Sequence, residues 1–332
     1  MLSRSSLVIV SPALARDNNG NWQTARRWRA LLGSTHAVRI VQHWPDAQAA
    51  GDAAMLALHA RRSAESVRAW SAARGGGSLA VVLTGTDLYQ DLDASSQARE
   101  SLRLAHRLVV LQDQGIFALP EPLRARARVI YQSTGARRPL AKTPRHLTAL
   151  MVGHLRQVKS PDTLFAAARL LAPAAGIRVR HIGDAAEPGW AERARATEAE
   201  CPHYRWLGAQ PYTRTRDAIQ RAHVLVHASA LEGGAHVIME AVRSGTPVLA
   251  SRVSGNVGML GADYAGYFPH GDAAALARLL RTCRDGQQAS ADAPAPALLE
   301  RLRRQCDLRA PLFDAEAERG ALLQLTEELL HP

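Results

Sequence analysis

The amino-acid sequence predicts an α/β protein of two successive domains, each built on a parallel sheet of the Rossmann type. Its 332 residues are enough for two domains of roughly 100–200 residues each. Apolar residues make up 47% and charged residues 21%, which provides two buried cores and excludes a largely disordered, collagen-like or disulfide-stapled chain. Short apolar segments alternate with longer amphipathic segments, the pattern of parallel β/α units.

The first half of the chain contains one such series. Its candidate strands are Leu7–Val10, Val38–Val41, Met55–Leu58, Leu79–Leu83, Leu108–Leu111 and Arg128–Tyr131. The helices predicted between them include Trp22–Leu32, Arg62–Ala73 and Gln97–Ala105. A segment with Gly, Pro and several basic residues, Ser133–His146, then interrupts the alternation and is typical of a linker. We therefore place the first domain at residues 1–140.

A second series begins after this linker. Its candidate strands are Leu147–Val152, Arg178–Ile182, Tyr204–Leu207, Val224–His227 and Pro247–Ala250. Its predicted helices include Pro161–Leu171, Trp190–Glu200, Thr213–Arg221 and His236–Ser244. We place the second domain at residues 141–310, and we expect a terminal helix, residues 311–332, to pack back on the first domain.

The charge of the chain bears on its partners. The formal net charge is +11, and only Lys142 and Lys159 among the 41 basic residues are lysines. The arginines are scattered and aromatic residues make up 5%, whereas nucleic-acid-binding proteins concentrate basic residues among aromatics. We therefore expect no nucleic-acid partner, since anionic small-molecule substrates explain a positive protein equally well.

Several sequence features bear on compartment and metal binding. The three cysteines form no CxxC pair and indicate free thiols in a reducing compartment. No apolar run approaches the ~18 residues of a membrane span, and Leu7–Val10 is short for a signal peptide, so we expect a cytoplasmic protein without a membrane span. Asp91-Leu92-Asp93 matches a metal-binding DxD motif that belongs to a different fold, and His223 and His227 lie on a predicted strand, not on a zinc-binding helix. The sequence therefore predicts neither a metal nor a cofactor.

The most informative segment places Glu232 and Glu240 eight residues apart around the start of a predicted helix. Glycines there allow close backbone approach, and a helix N-terminus offers unpaired N–H groups to a diphosphate. Eight helical residues span ~12 Å, so the two carboxylates can accept hydrogen bonds from hydroxyls at opposite ends of one ligand. The alternative is a capped helix with one solvated glutamate. The other candidate binding residues of this segment are Gly233, Gly234, Ala235 and His236.

Together with Gly245-Thr246-Pro247-Val248, this E-x7-E element resembles the retaining GT-B glycosyltransferases of the family 4 type. The resemblance implies two Rossmann-like domains facing across a cleft, with the chemistry in the cleft. It also implies that the first glutamate contacts the donor sugar and the second the ribose, which correspond to Glu232 and Glu240.

The resemblance extends upstream to Val152–Lys159. In the family, Gly-Arg-Leu at this point precedes a lysine that binds the donor diphosphate, and Gly153 and Lys159 match that glycine and lysine. His154 stands where an arginine is common, so we expect Arg156 to supply the charge. The alternative is that Lys159 is a surface lysine at a helix start.

Four further blocks narrow the resemblance. They are Arg16–Trp28, Ala57–Ala64, Leu83–Tyr89 and Gly255–Gly261. Together they are similar to the selenosugar synthases of selenoneine biosynthesis (SenB type), along nearly the whole chain. This implies transfer of the sugar of a UDP-sugar, typically UDP-N-acetylglucosamine, to selenophosphate, with release of UDP and phosphate. A downstream enzyme of the pathway would receive the 1-selenosugar. Gly258 departs from the broader glycosyltransferases, many of which have a glutamate there.

An anionic selenophosphate requires fixed positive charge and N–H donors. Arg61 and Arg62 follow a predicted strand at a helix start and suit a phosphate, although a solvated surface pair is the alternative. Asp87 orients the acceptor or caps a helix. The remaining acceptor candidates are Asn18, Asn19, Gly20, Asn21 and Thr86.

The expected chemistry needs no strong base, because selenium in selenophosphate is already an anionic nucleophile. The three catalytic candidates, Lys159, Arg156 and Glu232, are all expected to act on the donor. The two cations, Lys159 and Arg156, are expected to stabilise the departing UDP. Two other functions stay open: the same fold with a hydroxyl acceptor, lipid or polysaccharide, and a noncatalytic nucleotide- or nucleic-acid-binding protein. A nicotinamide dehydrogenase is disfavoured because no GxGxxG follows the first strand.

Overall fold

A computed structural model describes residues 5–15, 20–185, 187–288 and 297–332 of the protein. The chain divides into two compact units, unit 1 formed by Met1–Ser133 with Leu312–Pro332 and unit 2 by Thr134–Pro311. Each unit contains a six-stranded sheet whose neighbouring strands are all parallel. The predicted fold class, two Rossmann-like α/β domains, is confirmed.

Unit 1 has the strand order β2-β1-β3-β4-β5-β6. Strand order reverses between β1 and β3, which is the switch point of this sheet. Open α/β sheets bind ligands in the crevice between the carboxyl ends of the two strands at the switch point. Buried apolar residues cover both faces of the sheet, as a parallel sheet requires. The elements are β1 (Ser6–Val10), α1 (Gly20–Leu32), β2 (Ala37–Val41), β3 (Ala54–Leu58), α2 (Ala64–Arg74), β4 (Leu79–Leu83), α3 (Leu92–Ala94), α4 (Ser96–Leu104), β5 (Arg107–Val110) and β6 (Ala127–Val129).

Unit 2 has the strand order β12-β11-β10-β7-β8-β9, the Rossmann order, with its switch point between β7 and β10. The strands are β7 (Leu147–Val152), β8 (Ile177–Ile182), β9 (Tyr204–Trp206), β10 (Val224–His227), β11 (Val248–Ser251) and β12 (Tyr267–Phe268). The helices are α5 (Pro161–Leu170), α6 (Trp190–Glu200), α7 (Tyr212–Arg221), α8 (His236–Val242), α9 (Ser254–Leu260), α10 (Ala273–Gly286) and α11 (Leu298–Arg309).

Every predicted strand is present, with ends that differ by at most two residues. The helix predicted from Arg62 begins at Ala64, because the chain turns at His59, whose φ of +71° is left-handed. The helix predicted to end at Ser244 ends at Val242. Helices α3 and α9 and strand β12 are not among the elements predicted above.

The C-terminal helix α12 (Ala315–Leu330) packs against α1 and β3 of unit 1. Its Glu318 carboxylate is buried and accepts hydrogen bonds from Trp28 Nε1 at 2.7 Å, Arg27 Nε at 2.9 Å and the backbone N–H of Ser133 at 2.7 Å. The apolar side chains that it adds to the core of unit 1 are Leu322, Leu325 and Leu329. The last helix of the chain therefore completes the first fold.

The structure also bears on membrane insertion, metal binding and disulfide formation. Among the described residues, no helix is both long and apolar enough to cross a membrane. In the same residues, no three His, Cys, Asp or Glu side chains are grouped so that they could hold a metal ion. All three cysteines are buried and free.

Candidate functional site

Two loops of unit 2 meet at the switch point of its sheet. The loop after β7 carries Gly153–Lys159, and the loop after β10 carries Ser229–Ala235. The backbone N–H of Ala230 donates to the carbonyl of Val158 at 2.9 Å and joins the two loops. Because ligands of open α/β sheets bind where strand order reverses, the residues singled out by the sequence lie at the expected crevice.

A buried carboxylate is held between two basic side chains at this point. Lys159 Nζ donates to Oε1 of Glu232 at 2.6 Å, and Nε2 of His227, the last residue of β10, lies 3.0 Å from the same oxygen. We call Lys159, His227 and Glu232 the switch-point cluster. Within the described residues, no hydrogen bond reaches the second oxygen of Glu232, Oε2, which is therefore available to a ligand.

The charges of this cluster fix its ionisation. Burial alone would raise the pKa of Glu232, but the positive charge of Lys159 and the hydrogen-bonding His227 outweigh burial and hold the pKa well below its ordinary value. Glu232 is thus a carboxylate at neutral pH, and it acts as a hydrogen-bond acceptor.

Two further glycines, Gly255 and Gly183, allow close backbone approach at this site. A Cβ on Gly255 would lie 1.9 Å from the carbonyl oxygen of Glu232. A Cβ on Gly183, whose φ is +152°, would lie 1.8 Å from the carbonyl oxygen of Gly153. Side chains at either position would therefore displace the loops that carry the cluster.

Glu240 has different partners from Glu232. It lies on α8 and is buried, with Arg216 of α7 at 3.7 Å, and the neighbouring side chain of Tyr212 acts to lower its pKa. Burial raises the pKa of Glu240, and the positive charge of Arg216 opposes this. Arg216 is itself fixed by the carbonyl of Gly135 at 2.8 Å.

Contrary to the prediction from the sequence, the two glutamates are not separated by eight helical residues. Glu232 lies in the loop, four residues before α8 begins at His236, so a span of eight helical residues does not describe its separation from Glu240. Helix α8 has only seven residues, and Ala235 is its N-cap. The two carboxylates of the E-x7-E element therefore have different partners within unit 2.

The rest of the loop after β7 is more open. His154 is exposed, and its Nδ1 accepts from the backbone N–H of Asp184 at 3.2 Å. Arg156 is exposed, and it forms an ion pair with no carboxylate of the described ranges. Arg156 is thus an uncompensated cation in the same loop as Lys159.

The crevice of unit 1 contains a histidine that the sequence analysis did not select. His59 directly follows β3 and is buried. Its Nε2 lies 3.3 Å from Oγ1 of Thr86 and 3.8 Å from a carboxylate oxygen of Asp91, and its Nδ1 lies 3.9 Å from Asp87. Burial lowers the pKa of His59, with the negative charge of Asp87 opposing it, which favours a neutral ring at neutral pH.

Asp87 ties two loops of unit 1 together. Its side chain is fully buried. One oxygen accepts from the backbone N–H of Ala60 at 2.9 Å, and the other accepts from those of Thr84 and Gly85, each at 2.9 Å. Both oxygens of Asp87 are thus bound to backbone amides of the loops after β3 and β4.

The two predicted acceptor arginines differ. Arg61 Nε donates to Asp91 at 2.9 Å, so its charge is compensated. Arg62 is exposed and forms an ion pair with no carboxylate in the part of the chain that the structure describes. Gly20 and Asn21 open helix α1, whereas the predicted Asn18 and Asn19 lie outside the described residues.

Sequence reasoning therefore missed His227, Arg216 and His59. A signal existed for the two histidines, because each stands at the carboxyl end of a predicted strand, the end at which α/β sheets bind ligands. No sequence pattern marks Arg216, because its ion pair with Glu240 arises from the packing of α7 against α8.

The chain is similar to known glycosyltransferases. The family described as glycosyl transferases group 1 matches residues 133–293. Sucrose-phosphate synthase from Thermosynechococcus elongatus is 18% identical, with a TM-score of 0.75 over 99% of this chain and 100% of that chain. Anabaena HepE in complex with UDP-glucose is 15% identical, with a TM-score of 0.71 over 96% of this chain and 98% of that one.

A third solved structure is longer than this chain. The pneumococcal O-GlcNAc transferase GtfA, in complex with UDP and GlcNAc, is 17% identical, with a TM-score of 0.63 over 84% of this chain and 57% of that one. At these identities the structures establish the fold, which is of the GT-B type. Residues 133–293 match the family of group 1 glycosyl transferases, and this segment lies almost wholly within unit 2.

Proposed function

We propose that the protein transfers the sugar of a UDP-sugar, UDP-N-acetylglucosamine, to selenophosphate and forms a 1-selenosugar. The observation that carries the donor half of this proposal is the switch-point cluster, a buried carboxylate with one free oxygen beside a lysine. Two of the similar structures support the donor class, since HepE was solved with UDP-glucose and GtfA with UDP and GlcNAc.

In the proposed donor site, Oε2 of Glu232 accepts a hydrogen bond from a sugar hydroxyl. Lys159 and Arg156 face the diphosphate, where a fixed cation stabilises the negative charge that develops as UDP departs. When the donor binds, the ammonium group of Lys159 leaves the Glu232 carboxylate and pairs with a phosphate oxygen instead. Glu240 accepts from the ribose hydroxyls, with Tyr212 and Arg216 holding its carboxylate in place. The remaining donor contacts are proposed at Gly153, His154, Gly233, Gly234, Ala235 and His236.

The reaction balances without an added base or metal. The selenium of selenophosphate forms a bond to the anomeric carbon, and the bond from that carbon to the UDP oxygen breaks with its electron pair on UDP. Water later cleaves the P–Se bond and releases phosphate. The selenosugar would then pass to a downstream enzyme of selenoneine synthesis.

The acceptor half is proposed for unit 1 and rests on the resemblance to the SenB-type sequences. Arg62 is the exposed, uncompensated cation beside the switch point of unit 1, and a guanidinium suits a phosphate oxygen. Gly20 and Asn21 at the start of α1 offer backbone N–H groups to the same anion.

A hydroxyl acceptor is the second candidate, and His59 is the observation that favours it. A sugar or lipid hydroxyl, unlike selenophosphate, must lose a proton during transfer. A neutral imidazole beside two carboxylates is suited to accept that proton. Selenophosphate is already an anionic nucleophile and loses no proton when it attacks.

One competition assay separates the two candidates. The protein is incubated with UDP-N-acetylglucosamine and with selenophosphate, thiophosphate, phosphate or a glycan, and the products are weighed by mass spectrometry. We expect UDP release and a selenosugar mass, unchanged in rate by His59→Gln. Transfer to the glycan alone, lost in His59→Gln, would replace selenophosphate by a hydroxyl acceptor. Binding of UDP without any turnover would remove the enzymatic assignment.

A further inference from the structure

Unit 2 contains two adjoining cavities that the proposed reaction does not use. Their volumes are about 750 Å³ and about 470 Å³, and Thr143, His146 and Arg180 line both. We call the pair the basal groove. The volume of each cavity lies in the range of small-molecule sites, roughly 300–1,000 Å³.

The larger cavity of the basal groove lies at the end of the sheet opposite the switch-point cluster, and neither cavity is lined by a residue of that cluster. Its lining includes His146 and Ile177, which stand at the amino ends of β7 and β8, whereas Lys159 follows the carboxyl end of β7. Strand β7 has six residues, and at about 3.3 Å per residue it separates the two ends by roughly 20 Å. The groove is therefore a separate site.

The groove is strongly basic. Arg145, Arg178 and Arg180 line its larger cavity, and neither lining contains an Asp or Glu among the described residues. Over the described ranges, no carboxylate forms an ion pair with any of these three arginines. The charge in the groove is therefore uncompensated.

The position of the arginines in the sheet is unusual. Strands of a parallel sheet are normally covered on both faces and are continuously apolar, but β8 carries Arg178 and Arg180 at alternate positions, hence on one face. Arg180 is the register partner of Arg205 on the parallel neighbour β9, so two like charges repel each other on adjacent strands, although Arg205 also lies 3.9 Å from Glu198. Burial, Arg178 and Arg205 together lower the pKa of Arg180. An anion in the groove would relieve this repulsion.

A buried histidine adds a second polar group to the larger cavity. His203 is 9% exposed, and its Nε2 lies 2.9 Å from the carbonyl oxygen of Ala168. Since a carbonyl only accepts, Nε2 carries a proton, and Nδ1 of such a ring without a second proton is an acceptor. This buried Nδ1 has no hydrogen-bond partner, which points to a donor such as a ligand hydroxyl.

We propose that the basal groove binds a small phosphorylated molecule that carries a free hydroxyl group. Arg145, Arg178 and Arg180 hold the phosphate, Nδ1 of His203 accepts from the hydroxyl, and Leu140 and Leu207 in the smaller cavity receive apolar parts. A lipid headgroup has the same chemistry, but Trp, Tyr and Phe, which anchor proteins at membrane interfaces, are absent from the described lining residues.

Calorimetric titration with glycerol 3-phosphate tests this proposal. The test variant is Arg178→Ala/Arg180→Ala, and the matched control is Arg278→Ala/Arg301→Ala, which removes the same charge from exposed positions of α10 and α11. We expect saturable binding that the control retains and that weakens about tenfold for each groove arginine removed. His203→Phe should weaken glycerol 3-phosphate binding several-fold and leave inorganic phosphate unaffected.

Three results would overturn the proposal. They are the absence of saturable binding to the unmodified protein, equal weakening in the test and control variants, and displacement of the ligand by UDP with no effect of the groove substitutions. Co-sedimentation with phosphatidylglycerol vesicles, without binding of glycerol 3-phosphate, would instead make the surface a membrane contact. If thermal unfolding shows that the double variant is not folded, the exposed Arg178→Gln replaces it in the same comparison.

Discussion

The two switch-point crevices hold their buried carboxylates by different means. In unit 2, Glu232 is compensated by side chains, Lys159 at 2.6 Å and His227 at 3.0 Å. In unit 1, Asp87 is compensated by backbone amides. Side-chain partners can exchange for a ligand without loss of the loop conformation, whereas backbone amides cannot. We therefore propose that Glu232 of unit 2 is a binding carboxylate and that Asp87 of unit 1 is a structural one.

The largest effect is expected at Lys159. Lys159→Ala should lower kcat by roughly 10²–10³-fold, as loss of other preorganised electrostatic groups does, with a smaller change in KM for the UDP-sugar. Lys159→Arg should retain only part of the wild-type kcat, because a planar guanidinium does not replace a point charge. Steady-state kinetics check this, with Lys142→Ala, the other lysine, as control. An unchanged kcat in Lys159→Ala would contradict the role at the leaving group.

The second effect concerns stability. Asp87→Ala leaves three buried N–H groups without an acceptor, and we expect a loss of about 3 kcal/mol in the free energy of unfolding. Urea unfolding measures this loss. Asp87→Asn keeps one carbonyl oxygen and should lose less. If Asp87→Ala instead left stability intact and raised only the acceptor KM, Asp87 would be a binding group, and the contrast between the units would fail.

The third effect separates the paired arginine from the unpaired one. Arg62→Ala should raise the selenophosphate KM about tenfold, the loss of one charge-assisted contact, and leave UDP affinity unchanged. Arg61→Ala should change the selenophosphate KM less, because the Arg61 charge is already compensated by Asp91. Kinetics and UDP calorimetry on both variants test this order. The reverse order would move the acceptor contact to Arg61.

The smallest effect is a difference in pH dependence between the two glutamates. The folded pKa of Glu232 lies below that of an unfolded glutamate, about 4.3, so its stabilisation is present above that pH and is lost as the pH falls through the folded value. The folded pKa of Glu240 is raised, so its contribution is present below about pH 4.3 and is lost as the pH rises through the folded value.

Urea unfolding between about pH 3 and pH 7 measures both slopes. Relative to the unmodified protein, Glu232→Gln should destabilise more near the neutral end of this range than near the acidic end. Glu240→Gln should show the opposite trend. Parallel curves for the two variants would show that the two carboxylates share one environment, contrary to their separate partners.

The sequence predicted the architecture and part of the site because both depend on local patterns. Apolar strands and the segment Ser229–Ala241 are readable without knowledge of the fold, and Lys159 is marked by its position after Gly153. The environment of Asp87 was not predictable, because its partner Ala60 is 27 residues away and a helix cap has the same local pattern. The ion pair of Arg61 likewise depends on Asp91, 30 residues further on.

The return of α12 to unit 1 has a consequence for synthesis on the ribosome. Domains usually complete their folds in the order in which they are made. Here unit 2 is continuous over Thr134–Pro311, whereas unit 1 needs Leu312–Pro332, including Glu318 and the leucines that fill its core. The domain that is translated first is therefore the last to be finished, and until the final helix emerges one face of its sheet is covered by α1 without the leucines of α12.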